Sequence, residues 1–344
     1  MLRLSGAVAR IALALSFSAL VTPAIADGEV NIYSYREPKL IDPLLQAFTA
    51  KTGIKTNVVF ATTGLIERMT AEGKNSAADV LLTNESGLLM QAVTAGVTAQ
   101  LKSDVIDKAV PAALREPEGH WFALTRRARI VYASKDRVPQ TAITYEELAD
   151  PKWRGKICAR SGQHTYNVAL IASMIAHLGE EKAEAWLTGV KNNLARKPAG
   201  GDREQVRDVQ AGLCDLAIGN SYYMVAMQKN PEQKPWADAV HMLFPNAADR
   251  GTHINASGMA LAANAPNAAN AKALMEFLVS PEAQQLYAEA NGEYPVVAGV
   301  KASDMVESWG PLNADPLPLS KIAEFRKKAS EMVDRVRFDA GPNS

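Results

Sequence analysis

The sequence predicts an α/β protein of two lobes, each a mostly parallel sheet flanked by helices, with crossing hinge strands and a central cleft. Three observations support this fold class. Strand-like and helix-like segments alternate along the chain, as they do in parallel sheets with right-handed crossovers. The chain has 344 residues, more than a single domain usually contains. Hydrophobic residues make up 47% of it, which supports a sizeable core.

The N-terminus has the pattern of a secretory signal peptide. Arg3 and Arg10 flank a positive region, an apolar run covers residues 11–21, and small residues precede Asp27. The apolar run is too short to cross a bilayer. We therefore expect residues 1–26 to be cleaved off and the mature chain to be exported as a soluble protein.

The first half of the mature chain alternates strands and helices. Strands are predicted at residues 30–34, 55–60 and 79–83, and helices at residues 40–52, 64–73 and 87–96. The first helix has an apolar stripe formed by Leu40, Leu44, Leu45 and Phe48. Gly53 follows this helix and is expected to end it.

The second half repeats this order. We predict strands at residues 129–134, around Cys158, at 213–218 and at 257–262, a helix and turn at 145–155, and helices at 168–179, 180–190, 203–212, from about 224, and at 267–279. The predicted lobes are residues 27–128 plus about 255–300, and residues 129–254 plus about 301–344. Ligands of such sheets bind beyond the carboxyl ends of the strands, so the cleft between the lobes is the expected site.

Charge and motifs exclude several classes of function. Residues 1–26 hold two of the 37 basic residues and none of the 37 acidic ones, so the mature chain has a formal charge of −2 and no sign of a nucleic-acid partner. The chain has no Gly-x-Ser-x-Gly elbow, no phosphate-binding glycine fingerprint and no His-Glu-x-x-His helix. The carboxylate pairs Glu146-Glu147 and Glu180-Glu181 fall on predicted helix surfaces. We expect a binding protein, not an enzyme.

A pair of tyrosines, Tyr222-Tyr223, is the main candidate for a binding site. Cys214 stands eight residues before Tyr222, and Cys158 stands eight residues before Tyr166. This spacing indicates two neighbouring strands, each ending in a loop that carries phenols into one crevice. Phenolate is a hard anionic oxygen donor that suits ferric iron, whereas the five His and two Cys show no metal-ligand spacing. The alternative is a pair of aromatic rings that pack under a loop.

The two cysteines have two interpretations. In an oxidising compartment, a disulfide between Cys158 and Cys214 is expected, because both residues lie in short buried segments that adjacent strands would bring within bonding range. The bridge would close a loop of more than fifty residues. The alternative is two reduced thiols in the core.

Several segments together resemble the periplasmic ferric-ion-binding proteins, the solute receptors of iron-import ABC transporters. The segments that carry the resemblance are residues 31–36, 78–83, 121–130, 160–167 and 219–223. Residues 280–285 and 293–296 resemble bacterial solute-binding proteins more generally. The resemblance covers nearly all of the mature chain. It implies the type II periplasmic binding protein fold and a monomeric periplasmic protein that delivers ferric iron to a permease in the inner membrane.

The resemblance also implies roles for individual residues. Tyr166, Tyr222 and Tyr223 match the phenolate ligands of the family. Arg127 matches the arginine that holds a synergistic anion, often carbonate, beside the metal, and Arg129 is the second candidate for that role. Three phenolates would cancel the charge of ferric iron, and arginine offers a permanently charged, planar fork of donors to the anion.

The chain also departs from the family pattern. Some members have His, or His followed by Tyr, shortly after the first strand, where this chain has Glu37 and Pro38, and others have Glu after the third strand, where this chain has Asn84. The first lobe is therefore expected to supply little direct ligation, with Tyr35 as the candidate that reaches across on closure. His164 is expected to hydrogen-bond near the metal instead of coordinating it. The alternative function is a receptor for an organic or oxyanion solute that the tyrosines stack on or hydrogen-bond.

Overall fold

The computed structural model describes residues 28–342, so the expected signal peptide lies outside the described residues. The strands are β1 Glu29–Ser34, β2 Lys55–Phe60, β3 Val80–Thr83, β4 Thr98–Ala99, β5 Phe122–Ser134, β6 Ile157–Cys158, β7 Leu216–Asn220, β8 Val240–Leu243, β9 Ile254–Ala262 and β10 Tyr294–Pro295. The helices are α1 Pro38–Thr52, α2 Leu65–Glu72, α3 Ser86–Thr94, α4 Asp104–Ala109, α5 Thr165–Leu178, α6 Glu180–Asn192, α7 Asp202–Gln210, α8 Tyr222–Gln228, α9 Lys234–Asp238, α10 Ala268–Leu278, α11 Pro281–Asn291, α12 Asp304–Glu307, α13 Leu319–Glu324 and α14 Arg326–Val336. Short 3₁₀ helices cover Gly73–Asn75, Ala112–Leu114, Glu146–Ala149, Pro151–Trp153 and Phe338–Ala340. None of the helices within residues 28–342 is long and apolar enough to cross a membrane.

The strands form two connected sheets. In the first, β1 lies between β2 and β3 and runs parallel to both, and β3 pairs antiparallel with β9. In the second, β6 runs parallel to β7, and β7 and β8 pair antiparallel with β5. Strand β5 joins the sheets because it also pairs with β9 and β10. The chain thus has the two-lobed α/β architecture expected from its sequence, with parallel pairs inside each lobe and antiparallel pairs around the crossing strands.

The first lobe follows the sequence pattern closely. All four residues of β3 are buried, as expected for a strand covered on both faces. Helix α1 buries Leu44, Leu45 and Phe48 as predicted, with Ile41 in place of Leu40. Gly53 ends the helix in the left-handed conformation, with φ of 77°, which glycine adopts without steric cost.

Strand β5 changes its partner in the middle of its length. Ala128 is opposite Ile254 of β9, whereas Arg129 is opposite Asn220 of β7. The switch from the first sheet to the second therefore falls between two consecutive residues. The lobe boundary that we propose, between residues 128 and 129, falls at this switch.

Two segments differ from the prediction. Residues 145–155 form two 3₁₀ helices, Glu146–Ala149 and Pro151–Trp153, instead of a helix and a turn. Pro151 lacks the N–H that a continuous helix needs, and the Asp150 side chain caps the second piece. Cys214 lies just before β7, which begins at Leu216.

The C-terminal helices, for which the sequence analysis made no prediction, contact elements of both of the lobes that we propose. Helix α13 packs against α3 of the first lobe and α5 of the second, and α14 packs against α5 and α6. The last part of the chain therefore lies beside the junction of the two lobes.

Candidate metal centre

The two strands that precede the tyrosines are neighbours, as predicted. Ile157 and Cys158 of β6 pair in parallel register with Leu216 and Ala217 of β7. A disulfide joins Cys158 to Cys214, with Cα atoms 5.8 Å apart, which confirms the predicted bridge. The two segments that lead to the phenols are therefore fixed to each other by a covalent bond.

The phenols stand at helix N-termini, whereas the sequence suggested loops. Tyr166 is the second residue of α5, and Tyr222 and Tyr223 are the first two residues of α8. The Nδ1 atom of His164 accepts a 3.2 Å hydrogen bond from the Tyr166 N–H and so caps α5. The positive end of a helix dipole favours negative charge, so the end of α5 is a suitable place for a phenolate oxygen.

Tyr222 and Tyr223 lie against each other, with ring centroids 4.1 Å apart and ring planes at 33°. Burial and the nearby Tyr166 and Tyr223 phenols raise the pKa of Tyr222 well above its ordinary value, and burial together with Tyr166 raises the pKa of Tyr223. Both phenols are therefore neutral at physiological pH until a cation displaces their protons.

Arg127 projects toward these rings and is only 1% exposed. Its guanidinium carbon lies 5.4 Å from the centroid of the Tyr166 ring and 5.8 Å from that of Tyr222. Its Nη1 atom lies 3.5 Å from Glu293, but Nε and Nη2 have no hydrogen-bond partner among the described residues. Buried donors without a partner call for an explanation, and a bound anion would provide it.

Arg129, the second candidate for anion binding, is engaged in a different network. Its Nη1 atom donates to Asp202 at 2.5 Å and to Asn220 at 3.1 Å, and its Nη2 atom donates to Asn167 at 2.6 Å. The side chains of Arg129 and Asp202 are 2% and 0% exposed. This arginine supports the ends of α5, α7 and β7, and only its Nε atom lacks a partner.

Sequence reasoning missed a buried pair beside Arg127. The two Nη atoms of Arg36 donate to the two carboxylate oxygens of Glu293 at 3.2 and 3.3 Å. Burial raises the pKa of the Glu293 carboxyl, but Arg36 and Arg127 outweigh burial and hold this pKa below its ordinary value. Arg36 stands in a segment that carries the family resemblance and Glu293 in one that resembles solute-binding proteins more generally, but a contact across 257 positions leaves no local pattern.

Arg160 and Asp202 complete the charged surroundings of Tyr166. Arg160 lies 5.6 Å from the centroid of the Tyr166 ring and donates to Asp202 at 3.2 Å. Burial raises the pKa of Asp202, but Arg129 and Arg160 outweigh it, so the net pKa is lowered. Four guanidinium groups of this cluster thus contact two carboxylates, through the pairs Arg36–Glu293, Arg127–Glu293, Arg129–Asp202 and Arg160–Asp202.

The remaining candidates lie elsewhere or have other partners. The Tyr35 hydroxyl oxygen accepts a 3.0 Å hydrogen bond from the Ile66 N–H within the first lobe. Glu37 is exposed and pairs with Lys39 at 2.7 Å. The Oδ1 atom of Asn84 is buried with no hydrogen-bond partner among residues 28–342.

His164 is half-buried beside Tyr166, with the two rings edge to face and their centroids 4.6 Å apart. Burial and the charge of Arg160 lower its pKa to about 4. Within residues 28–342, no group of three or more His, Cys, Asp and Glu side chains is arranged to hold a metal ion.

The fold and the cluster together define a class of protein. Two α/β lobes joined by crossing strands, with convergent polar side chains from separate elements, are the features of a solute receptor with the type II periplasmic binding protein fold. Receptors of this kind hold a small ligand between their lobes.

Comparisons with known proteins agree with this class. Residues 75–314 match the family model of the bacterial extracellular solute-binding proteins. Iron uptake protein A1 of Synechocystis is 41% identical over 310 residues, which cover 89% of this chain and 86% of that protein. The chain therefore belongs to the bacterial extracellular solute-binding proteins, and within them to the group of ferric-binding and iron-uptake proteins.

Solved structures give the same result. The Bordetella ferric binding protein is 54% identical, with a TM-score of 0.86 over 90% of this chain and 99% of that one. A Trichodesmium protein solved in complex with iron and citrate ligands is 41% identical, with a TM-score of 0.87 over 90% of this chain and 100% of that one. These values cover both lobes, so the whole fold is shared.

Proposed function

We propose that this protein is a periplasmic receptor that binds ferric iron through the phenolate oxygens of Tyr166, Tyr222 and Tyr223 and delivers it to the permease of an ABC importer. The observation that carries this proposal is that the Tyr166 and Tyr222 rings both lie against one buried guanidinium, that of Arg127, which retains two unpartnered nitrogens, while Tyr223 stacks on Tyr222. Three hard anionic oxygens suit a hard trivalent cation. The resemblance to ferric-binding proteins supports the same ligand.

The charges around the phenols support a second ligand, an anion. Three phenolates neutralise ferric iron, while the four arginines and two carboxylates of the cluster leave an excess of positive charge. Carbonate or a similar small oxyanion would bind Arg127 through its free Nε and Nη2 atoms, which form a planar fork of donors. Held by Arg127 beside the phenols, the anion would complete the coordination of iron.

The wider role follows from the family. Solute-binding proteins of importers present their ligand to a membrane permease, so we propose a permease partner, a periplasmic location after removal of residues 1–26, and a monomeric state. The cluster is arranged for binding, since its carboxylates are paired with arginines and none is placed as a free general base. We therefore propose no catalytic activity.

A titration with visible absorption tests the proposal. The iron-stripped protein would be titrated with chelated ferric iron beside its Tyr223→Phe variant. We expect a saturable charge-transfer band at one iron per chain in the wild type and its loss in the variant, because phenolate bonded to iron produces this colour. A wild type that remains colourless and does not take up iron would refute ferric binding.

The second candidate is a receptor for an organic or oxyanion solute. The unpartnered Nε and Nη2 atoms of Arg127 favour it, because they would bind a carboxylate or phosphate equally well in the absence of iron. In that case the tyrosines stack on the solute or hydrogen-bond it. Calorimetric titration with inorganic phosphate and with citrate, each with and without ferric iron, separates the candidates. Anion binding by a protein that takes up no ferric iron favours the solute receptor, and uptake of ferric iron favours the ferric receptor.

A further inference from the structure

Arg326, the first residue of α14, connects side chains from two distant parts of the chain. Its Nη1 atom lies 3.2 Å from a carboxylate oxygen of Glu85, and its Nη2 atom donates a 2.8 Å hydrogen bond to the hydroxyl oxygen of Thr165. The side chains of Arg326 and Glu85 are 20% and 2% exposed. This ion pair is therefore largely shielded from solvent, unlike the surface pairs that contribute little to stability.

The two partners of Arg326 belong to different lobes in the division that we propose. Glu85 follows β3 and caps α3, where its carboxylate accepts a 2.9 Å hydrogen bond from the Gly87 N–H. Thr165 is the first residue of α5 and directly precedes Tyr166. The arginine thus connects the first lobe to the helix end that carries a proposed iron ligand.

Gly87 permits this close approach. A Cβ atom at Gly87 would come within 2.3 Å of the guanidinium carbon of Arg326, so the guanidinium lies directly against the first turn of α3. Helix α13, which ends just before Arg326, packs against both α3 and α5. The position of Arg326 between the lobes is therefore set from two sides.

A purely structural role accounts for only part of this arrangement. The N-terminus of α3 already favours a carboxylate, so Glu85 does not depend on the arginine for its charge. Thr165 is only partly buried, so water is a possible alternative partner for its hydroxyl. Neither Glu85 nor Thr165 therefore needs Arg326 as a partner. What the bond from Arg326 to Thr165 adds is a fixed position for the N-terminal end of α5.

We infer that Arg326 is a positioning residue that holds the lobes in the arrangement that keeps Arg127 of the first lobe beside the Tyr166 phenol of the second, and that it thereby slows iron release. This inference rests on the proposed function. A hinge rotation changes the distance between Glu85 and Thr165, so Arg326 keeps both contacts in one arrangement of the lobes only. Its planar fork of donors can serve two partners at once, which suits it to this role.

Three variants of the mature protein test the inference: Arg326→Gln, Thr165→Val and Gly87→Ala, each loaded with ferric iron. We expect each to shift the charge-transfer maximum and to release iron to a competing chelator roughly two- to tenfold faster than the wild type. The Thr165→Val variant keeps the side-chain shape and the Glu85 pair, so it remains informative even if Arg326→Gln does not fold. The double variant Arg326→Gln/Thr165→Val is expected to release iron no faster than Arg326→Gln, because both changes remove one connection.

Arg335→Gln is the matched control. Arg335 lies on the same helix, pairs with Glu180 and Glu184, and is 41% exposed. We expect its spectrum and release rate to equal those of the wild type. If the three test variants also match the wild type and lose only thermal stability, Arg326 is merely structural and the inference is overturned. A wild type with no charge-transfer band would overturn the proposed function together with the inference, so the two failures are distinguishable.

Discussion

The guanidinium carbon of Arg127 lies 5.4 Å from the centroid of the Tyr166 ring, although the two residues come from different elements. Arg127 lies in the crossing strand β5, and Tyr166 lies at the start of α5. The contact brings a cation with two free donors to a phenol. It therefore places a potential anion site directly beside a potential metal ligand.

Replacement of Arg127 tests whether iron binding depends on an anion. We expect Arg127→Lys to lower the affinity for ferric iron in carbonate buffer by roughly ten- to hundredfold, the range for a lost charge-assisted hydrogen bond. Lysine retains the charge but lacks the fork of donors. Competition with a chelator of known affinity, with and without added carbonate, measures the effect. An equal response of variant and wild type to carbonate would show that Arg127 does not hold the anion.

Arg129 is expected to respond differently from Arg127. Arg129→Met removes the buried partner of Asp202 and three hydrogen bonds, so we expect a loss of about 3 kcal/mol in the free energy of unfolding. The dependence of iron binding on carbonate should persist in this variant, because Arg127 remains. Urea unfolding of the iron-free protein provides the measurement, and a carbonate response that disappears only in Arg129→Met would reverse the two roles.

Iron affinity should fall as the solution becomes more acidic. The pKa values of Tyr222 and Tyr223 are raised, so both phenols carry protons at neutral pH and must release them to bind iron. The logarithm of the apparent affinity should then rise with pH by about one unit per pH unit for each proton displaced, hence by about two for this pair. Chelator competition between about pH 6 and pH 8 measures this slope. A flat profile would contradict phenolate ligation.

Tyr35 is expected to affect binding far less than the tyrosine pair. Its hydroxyl accepts a hydrogen bond from the Ile66 N–H, so Tyr35→Phe should lower the free energy of unfolding by about 1 kcal/mol and weaken iron binding only mildly. Tyr222→Phe should nearly abolish binding because it removes a ligand. Iron titrations of the two variants side by side make the comparison. Equal losses in both would mean that the first lobe supplies a true ligand.

The disulfide is expected to stabilise the fold by restricting the unfolded chain. Its cysteines are 56 positions apart, and the chain-entropy model gives about 4 kcal/mol for a loop of this length. We expect the Cys158→Ala/Cys214→Ala variant to lose free energy of unfolding of this order, measured in urea under oxidising conditions. The same wild-type protein treated with a reductant serves as the control. A loss below about 1 kcal/mol would show that strand pairing alone holds the two segments.

Local patterns predicted much of the fold. The alternation of strands and helices, the buried stripe of α1 and the adjacency of β6 and β7 follow from residue periodicity and from the repeated spacing of Cys and Tyr. Residues 145–155 form two short 3₁₀ helices instead of the predicted helix and turn, because Pro151 interrupts the segment and Asp150 caps its second part. The apolar pattern does not show this local effect. The prediction left out α13 and α14, although α14 has 11 residues and buries Ala329, Met332 and Val333 at helical spacing, a signal that was present in the sequence.

The charged network around the phenols was less predictable. Arg127 and Arg129 were named as candidates from the resemblance, but the sequence could not show which of them keeps free donors. That difference depends on Asp202, Asn220 and Glu293, which reach the arginines from distant parts of the chain. Such contacts are products of tertiary packing and have no sequence period.

The change of partner along β5 places Arg127 and Arg129 on opposite sides of the boundary between the two sheets. Arg127 is opposite Asn255 in the half of the molecule that lacks the three phenols, and Arg129 is opposite Asn220 in the half that carries them. An anion on Arg127 would thus be held from one half and an iron on the phenolates from the other. Separation of the two halves would by itself move the bound anion away from the ferric ion.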